Sequence, residues 1–119
     1  MWYLSNDPKL SKTALSRLED SGVRIIIPVI VLAEVKHLFS RRKISVSMEV
    51  ILERIAEDDR CMVYPFDLSC LEALPTDLDL HDGMIVATAL ALKAHFDPEV
   101  FVITKDQAIK GSGLIPVLW

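Results

Sequence analysis

Apolar residues recur along this chain at helical spacing in several places. They stand at Ala14, Leu15 and Leu18, at Val31, Leu32, Val35, Leu38 and Phe39, and at Met48, Ile51, Leu52 and Ile55. The spacing predicts a helix over 11–20, capped by Ser11 and stopped at Gly22, a second that takes Pro28 as its first position and continues over 29–42, and a third over 46–58. Between them lie short, nearly all-apolar runs: VRIII at 23–27, CMVYPF at 61–66, EVFVIT at 99–104 and LIPVLW at 114–119. Such runs read as strands, and strands without polar alternation belong to a parallel sheet covered on both faces. A short helix over 67–74 should stop at Pro75, LHDGMIVATALAL should open a helix reaching about Ala94, and one helical turn should fill 107–110. The expected class is therefore α/β, as a three-layer α/β/α domain around a central parallel sheet.

Composition narrows the setting. At 119 residues the chain fits a single domain, and 51% apolar against 25% charged residues excludes disorder. No apolar run approaches the ~20 residues of a membrane span, and the start lacks a basic segment followed by an apolar one, so the expected compartment is the cytoplasm. Cys61 and Cys70 are spaced for neither a redox pair nor a zinc site, and are expected to be reduced structural thiols on a strand and a helix. The net charge of −4 argues against a broad basic face for nucleic acid but leaves room for a small local patch. With four glycines there is no GxGxxG or P-loop, no GxSxG is present, and the three histidines are dispersed, so neither a phosphate cradle nor a catalytic triad has support.

Three carboxylates remain. Glu34 has Ile30 four before it and Leu38 four after, which predicts a charge on a half-buried helical stripe; by pattern alone a helix former snorkelling to water is the simpler explanation. Asp82 precedes Ile85, Val86 and Ala89 and so falls on the buried face at a helix start, where it serves either as an N-cap or as a site residue. Asp106 directly follows VFVIT and has the same two readings. A parallel sheet places its working site beyond the carboxyl ends of its strands. Carboxylates gathered there repel one another unless a divalent cation neutralises them, and oxygen donors alone select Mg²⁺ or Mn²⁺. That predicts metal-dependent phosphodiester hydrolysis. Arg41, Arg42 and Lys43 close a helix, where cations suit the macrodipole and can also meet phosphate. His81, beside Asp82, is either an exposed loop residue or a substrate contact.

PVIVLAEV with Glu34, LHDGMIVATAL with Asp82, VITKD with Asp106 and the closing GLIPVLW together resemble the successive motifs of PIN domains, especially the VapC-type toxin ribonucleases. The resemblance implies a parallel sheet between helices, a Mg²⁺ or Mn²⁺ site that includes Glu34, Asp82 and Asp106, and endonucleolytic cleavage of RNA. It also implies a homodimer held inactive by a cognate antitoxin. Where the family often has Arg after the motif Asp, this chain has Gly83. The family's first strand and its Asp would stand before Met1. Losing some five apolar side chains at ~1.5–3 kcal/mol each approaches the whole ~5–15 kcal/mol stability of a domain. The expectation is thus a start upstream of Met1 or an N-terminally truncated chain, and for the latter an inactive interaction module. A phosphoacceptor receiver domain would fit the length and class, but it needs an acidic pair on the same first strand.

Overall fold

A computed structural model describes residues 12–20, 22–95, 99–100, 102–103 and 107–118. Helix α1 (Lys12–Glu19) leads into strand β1 (Ile25–Pro28), helices α2 (Val29–Ser40) and α3 (Met48–Glu57), and strand β2 (Cys61–Tyr64). Helices α4 (Leu68–Glu72) and α5 (Leu80–His95), strand β3 (Val102–Ile103), helix α6 (Gln107–Ser112) and strand β4 (Val117–Leu118) complete the order. The class is α/β. The chain divides into two compact units, Met1–Tyr64 and Pro65–Trp119, and each holds one parallel pair of strands among the described residues.

In the first unit β1 lies parallel to β2, from Ile25 opposite Cys61 to Pro28 opposite Tyr64. The expected strand at 23–27 is displaced toward its C-terminus because pairing can begin only where the partner begins. The Ile25 N–H donates to the Arg60 carbonyl at 2.8 Å. Arg60 is itself fixed by the Asp58 carboxylate, which accepts its backbone N–H, Nε and Nη2 at 2.9, 3.3 and 3.1 Å. Its Nη1 donates to the Asp20 carbonyl at 2.9 Å, tying the end of α1 to the entry of β2. Pro28 ends the strand with φ −60° and ψ 139° and is the residue before α2 rather than its first helical residue. Its ring-fixed φ suits both places, but that ψ is extended.

The core of this unit is Ile27, Leu32, Val35, Ile51 and Ile55, with Ile25, Val31, Ile44, Val46, Met48, Cys61 and Val63 packed around it. Ile51 and Ile55 are one turn apart on α3, and Leu52, a step further round, is exposed. Leu15 and Phe39, expected to face the core, are exposed as well. Helix α3 starts at Met48, two residues later than its pattern predicts, because the Ser47 hydroxyl accepts the Val50 N–H at 3.3 Å and caps it.

In the second unit Asp67 caps α4 by accepting the Cys70 N–H at 3.0 Å. The helix stops at Glu72, short of Leu74, as the Ala73 N–H turns back to the Ser69 and Cys70 carbonyls. Helix α5 runs for 16 residues and buries Gly83, Val86, Ala87, Thr88, Ala89 and Ala91. Burial on several sides explains its nearly unbroken apolar sequence. The one polar side chain buried there, Thr88, donates its hydroxyl to the Met84 carbonyl at 2.8 Å. Val86 and Ala89 pack with Ile109 of α6 and with Ile115. Each of the larger of these contributes ~1.5–3 kcal/mol of burial. Strands β3 and β4 pair parallel, Val102 opposite Val117 and Ile103 opposite Leu118, and α6 lies in the crossover between them. The outer parts of the two expected C-terminal strands fall partly outside the described residues.

Candidate active site

Helix α5 sets Asp82. The helix opens at Leu80, with its first turn closed by the Gly83 N–H donating to the Asp79 carbonyl at 2.7 Å. Asp79, not Asp82, is therefore the residue before the helix, and Asp82 is its third residue. A carboxylate there faces the positive end of the helix macrodipole. Four and seven positions on, Val86 and Ala89 are buried, so the face that carries Asp82 is the packed one, as expected. The Asp82 side chain is only 18% exposed.

His81 lies in the same helical turn, not in a loop. Its Nδ1 stands 3.7 Å from the Asp82 Oδ1, an ionic contact when the ring is protonated rather than a hydrogen bond. The residue after Asp82 is a glycine for a packing reason. A Cβ on Gly83 would stand 3.3 Å from the Pro75 carbonyl oxygen and 3.4 Å from a Leu74 methyl, so the helix runs tight against the segment before it.

Glu34 lies on α2 and is exposed, which corrects the expected half-buried stripe. The buried residues of α2 are Leu32 and Val35, about 160° and about 100° round the helix from Glu34, and Ile30 and Leu38 only border that face. Glu34 belongs to the first unit and Asp82 to the second. Asp106 lies outside the described residues. Among the described residues no three His, Cys, Asp or Glu side chains gather as ligands for an ion. What fits a hard cation is donor chemistry: carboxylate oxygens are the ligands that Mg²⁺ takes.

The basic cluster is a loop rather than a helix end. Helix α2 closes at Ser40, and the Arg41, Arg42 and Lys43 N–H groups donate to the His37, Phe39 and Leu38 carbonyls at 3.2, 3.0 and 2.9 Å. The crossed pair from Arg42 and Lys43 is a Schellman hook, whose turning residue takes a left-handed backbone. That residue is Arg42, with φ 58°. The His37, Leu38 and Phe39 carbonyls are thus satisfied by the backbone, and all three cations are exposed. An open depression of about 550 Å³ adjoins them, lined by Phe39, Ser40, Arg42, Lys43, Ile44 and Ser45. The sequence pattern missed Phe39 as a lining residue, and the only signal was the absence of a glycine after the helix.

Both thiols are free, Cys61 on β2 and Cys70 buried in α4. Burial pushes each above the ordinary thiol range, which disfavours the nucleophilic thiolate. No helix among the described residues is long and apolar enough to cross a membrane. Compared with known proteins, the chain matches no family model, no curated protein and no solved structure.

Proposed function

We propose that the chain is a Mg²⁺-dependent endoribonuclease of the PIN type, the toxin of a toxin–antitoxin pair, acting on RNA in the cytoplasm. The observation that carries this reading is Asp82: a largely shielded carboxylate in the first turn of a buried helix, with an imidazole 3.7 Å away. A helix packed along most of its length fixes such an acid in direction, as a metal ligand requires. The order of the motifs around Glu34, Asp82 and Asp106 supports it further.

In this reading the chain forms one PIN-like domain with a three-layer α/β/α architecture and a central parallel sheet. Glu34 and Asp82 hold Mg²⁺ or Mn²⁺ directly or through water, and Asp106 holds a second ion or orients the attacking water. When bound, such an ion lowers the pKa of water and offsets the charge that builds on the phosphate. Arg41, Arg42, Lys43 and His81 contact the RNA. The protein acts as a homodimer and is silenced by a cognate antitoxin protein.

The test is cleavage of single-stranded RNA by the purified protein in Mg²⁺, with EDTA abolishing it. Asp82→Asn should lower the rate by at least about 100-fold while the circular dichroism is unchanged. Equal activity in Asp82→Asn discards the site. A folded protein that takes up no Mn²⁺ in titration leaves an inactive interaction module as the better reading.

A further inference from the structure

We propose that the hook at the end of α2 is a binding site for a single nucleotide, with its phosphate on Arg42 and Lys43 and its base against Phe39. Arg42 is out of place at its position in the hook. A left-handed backbone at the turning position of a Schellman hook favours glycine, because any Cβ crowds the adjacent carbonyl there. This chain places Arg42 there, at φ 58°. Strained non-glycine backbone that persists in a fold points to a use for the side chain.

Hydrogen bonding to the helix end does not account for these side chains. Cations at a helix C-terminus commonly serve its last carbonyls, but here the backbone N–H groups of Arg41, Arg42 and Lys43 take those of His37, Phe39 and Leu38. The Ser40 hydroxyl donates to the His37 carbonyl as well, at 2.7 Å. Among the described residues neither Arg42 nor Lys43 has an ion-pair partner. Two unpaired cations therefore stand side by side on a protein whose net charge is −4.

The depression beside them sets the ligand. Its volume of about 550 Å³ is within the ~300–1,000 Å³ of small-molecule sites. Arg42 and Lys43 make part of its lining basic, and the Ser45 hydroxyl adds a hydrogen-bonding group. The apolar part of the lining is Ile44, and Phe39, a residue 44% exposed in the last turn of the helix. Inorganic phosphate would use only the basic part of the lining, and a peptide of acidic residues alone has no aromatic group to lay on the ring. A nucleotide uses both, since a base stacks on an aromatic face whatever its identity. The site shares Arg42 and Lys43 with the RNA contacts proposed above and deepens that part of the reading, but it uses none of the three carboxylates and so does not depend on metal-dependent cleavage.

The test is titration of the ¹⁵N-labelled full chain in EDTA, where no metal-dependent chemistry intervenes, with adenosine monophosphate, inorganic phosphate, a short oligoadenylate and a hexaglutamate peptide. Adenosine monophosphate should move the amide resonances of 39–45 and bind about tenfold tighter than phosphate, the advantage that one stacked base supplies. Phe39→Ala should erase that advantage, and Arg42→Gly should weaken binding at least about fivefold while raising the melting temperature, so loss of fold cannot mimic the result. Tighter binding of the oligoadenylate identifies the nucleotide as a unit of single strand, and equal binding identifies it as free. The proposal is overturned if phosphate or hexaglutamate binds as well as the nucleotide, or if Arg42→Gly stabilises the protein and leaves affinity intact. Nucleotide binding without RNA cleavage in Mg²⁺ would discard the nuclease reading alone.

Discussion

Arg42 and Gly83 are each explained by what a Cβ does at that point of the backbone. At Arg42 the left-handed φ of 58° costs ~1–2 kcal/mol for a residue with a Cβ, partly offset by the freedom that glycine gains in the unfolded chain. Arg42→Gly should therefore stabilise the protein by about 0.5–1 kcal/mol in urea titration, and an unchanged midpoint would mean the hook carries no strain. Gly83 is the opposite case. Its absent Cβ is what lets α5 pass 3.3 Å from the Pro75 carbonyl, so Gly83→Arg, which would restore the residue common in the resembled family, should cost about 1–3 kcal/mol by overpacking. Gly83→Ala should fall well short of that, because the ~1 kcal/mol gain in helix propensity works against the tight contact. Asp82 was legible at this scale because three apolar residues at three, four and seven positions fixed its side of the helix. Glu34 was not. Ile30 and Leu38 flank it in sequence, yet they border the buried face instead of forming it.

Elements follow their patterns in kind and depart from them at the ends. Every helix expected within the described residues is present, and α5 ends one residue from its predicted limit, at His95. The ends moved where a side chain or a partner strand intervened. The Asp58–Arg60 turn decides where β2 begins and so which residues of VRIII can pair, and no local pattern carries that information. Helix α3 begins where Ser47 can cap it. Ser47→Ala should cost ~1 kcal/mol, read as a lower melting temperature, and a change within error would show that the 3.3 Å bond contributes nothing. The basic run at 41–43 reads as helix from composition alone, since arginine and lysine are good helix formers. The backbone closes at Ser40 regardless, once Ile44 packs against the core of the first unit.

For the whole molecule, the α/β class was legible because short apolar runs alternate with amphipathic ones, while the extent of the sheet was not, because pairing across a crossover leaves no mark in either strand. Acid should act on both units through one kind of group. The Arg60 hydrogen bonds hold the Asp58 carboxyl below the ordinary carboxylate range, and the Cys70 N–H does the same for Asp67. A carboxyl with a depressed folded pKa stabilises the fold above its unfolded value of ~4, and that contribution is lost as pH falls through the folded value. Stability measured by urea titration should thus decline below about pH 4, and Asp58→Asn and Asp67→Asn should flatten the decline while lowering stability at pH 7. A wild-type decline that persists undiminished in both variants would place its origin in other carboxyls.

Cys70 is fully buried, caught at the start of α4 between the Asp67 cap and the Pro65 carbonyl, to which its Sγ donates at 3.8 Å. A thiol reagent in solution cannot reach such a sulfur in the folded chain and must wait for the helix to open. The rate at which Cys70 is labelled is consequently a clock for whatever opening exposes this five-residue helix, and comparing it with the global unfolding rate tells a local opening from a global one.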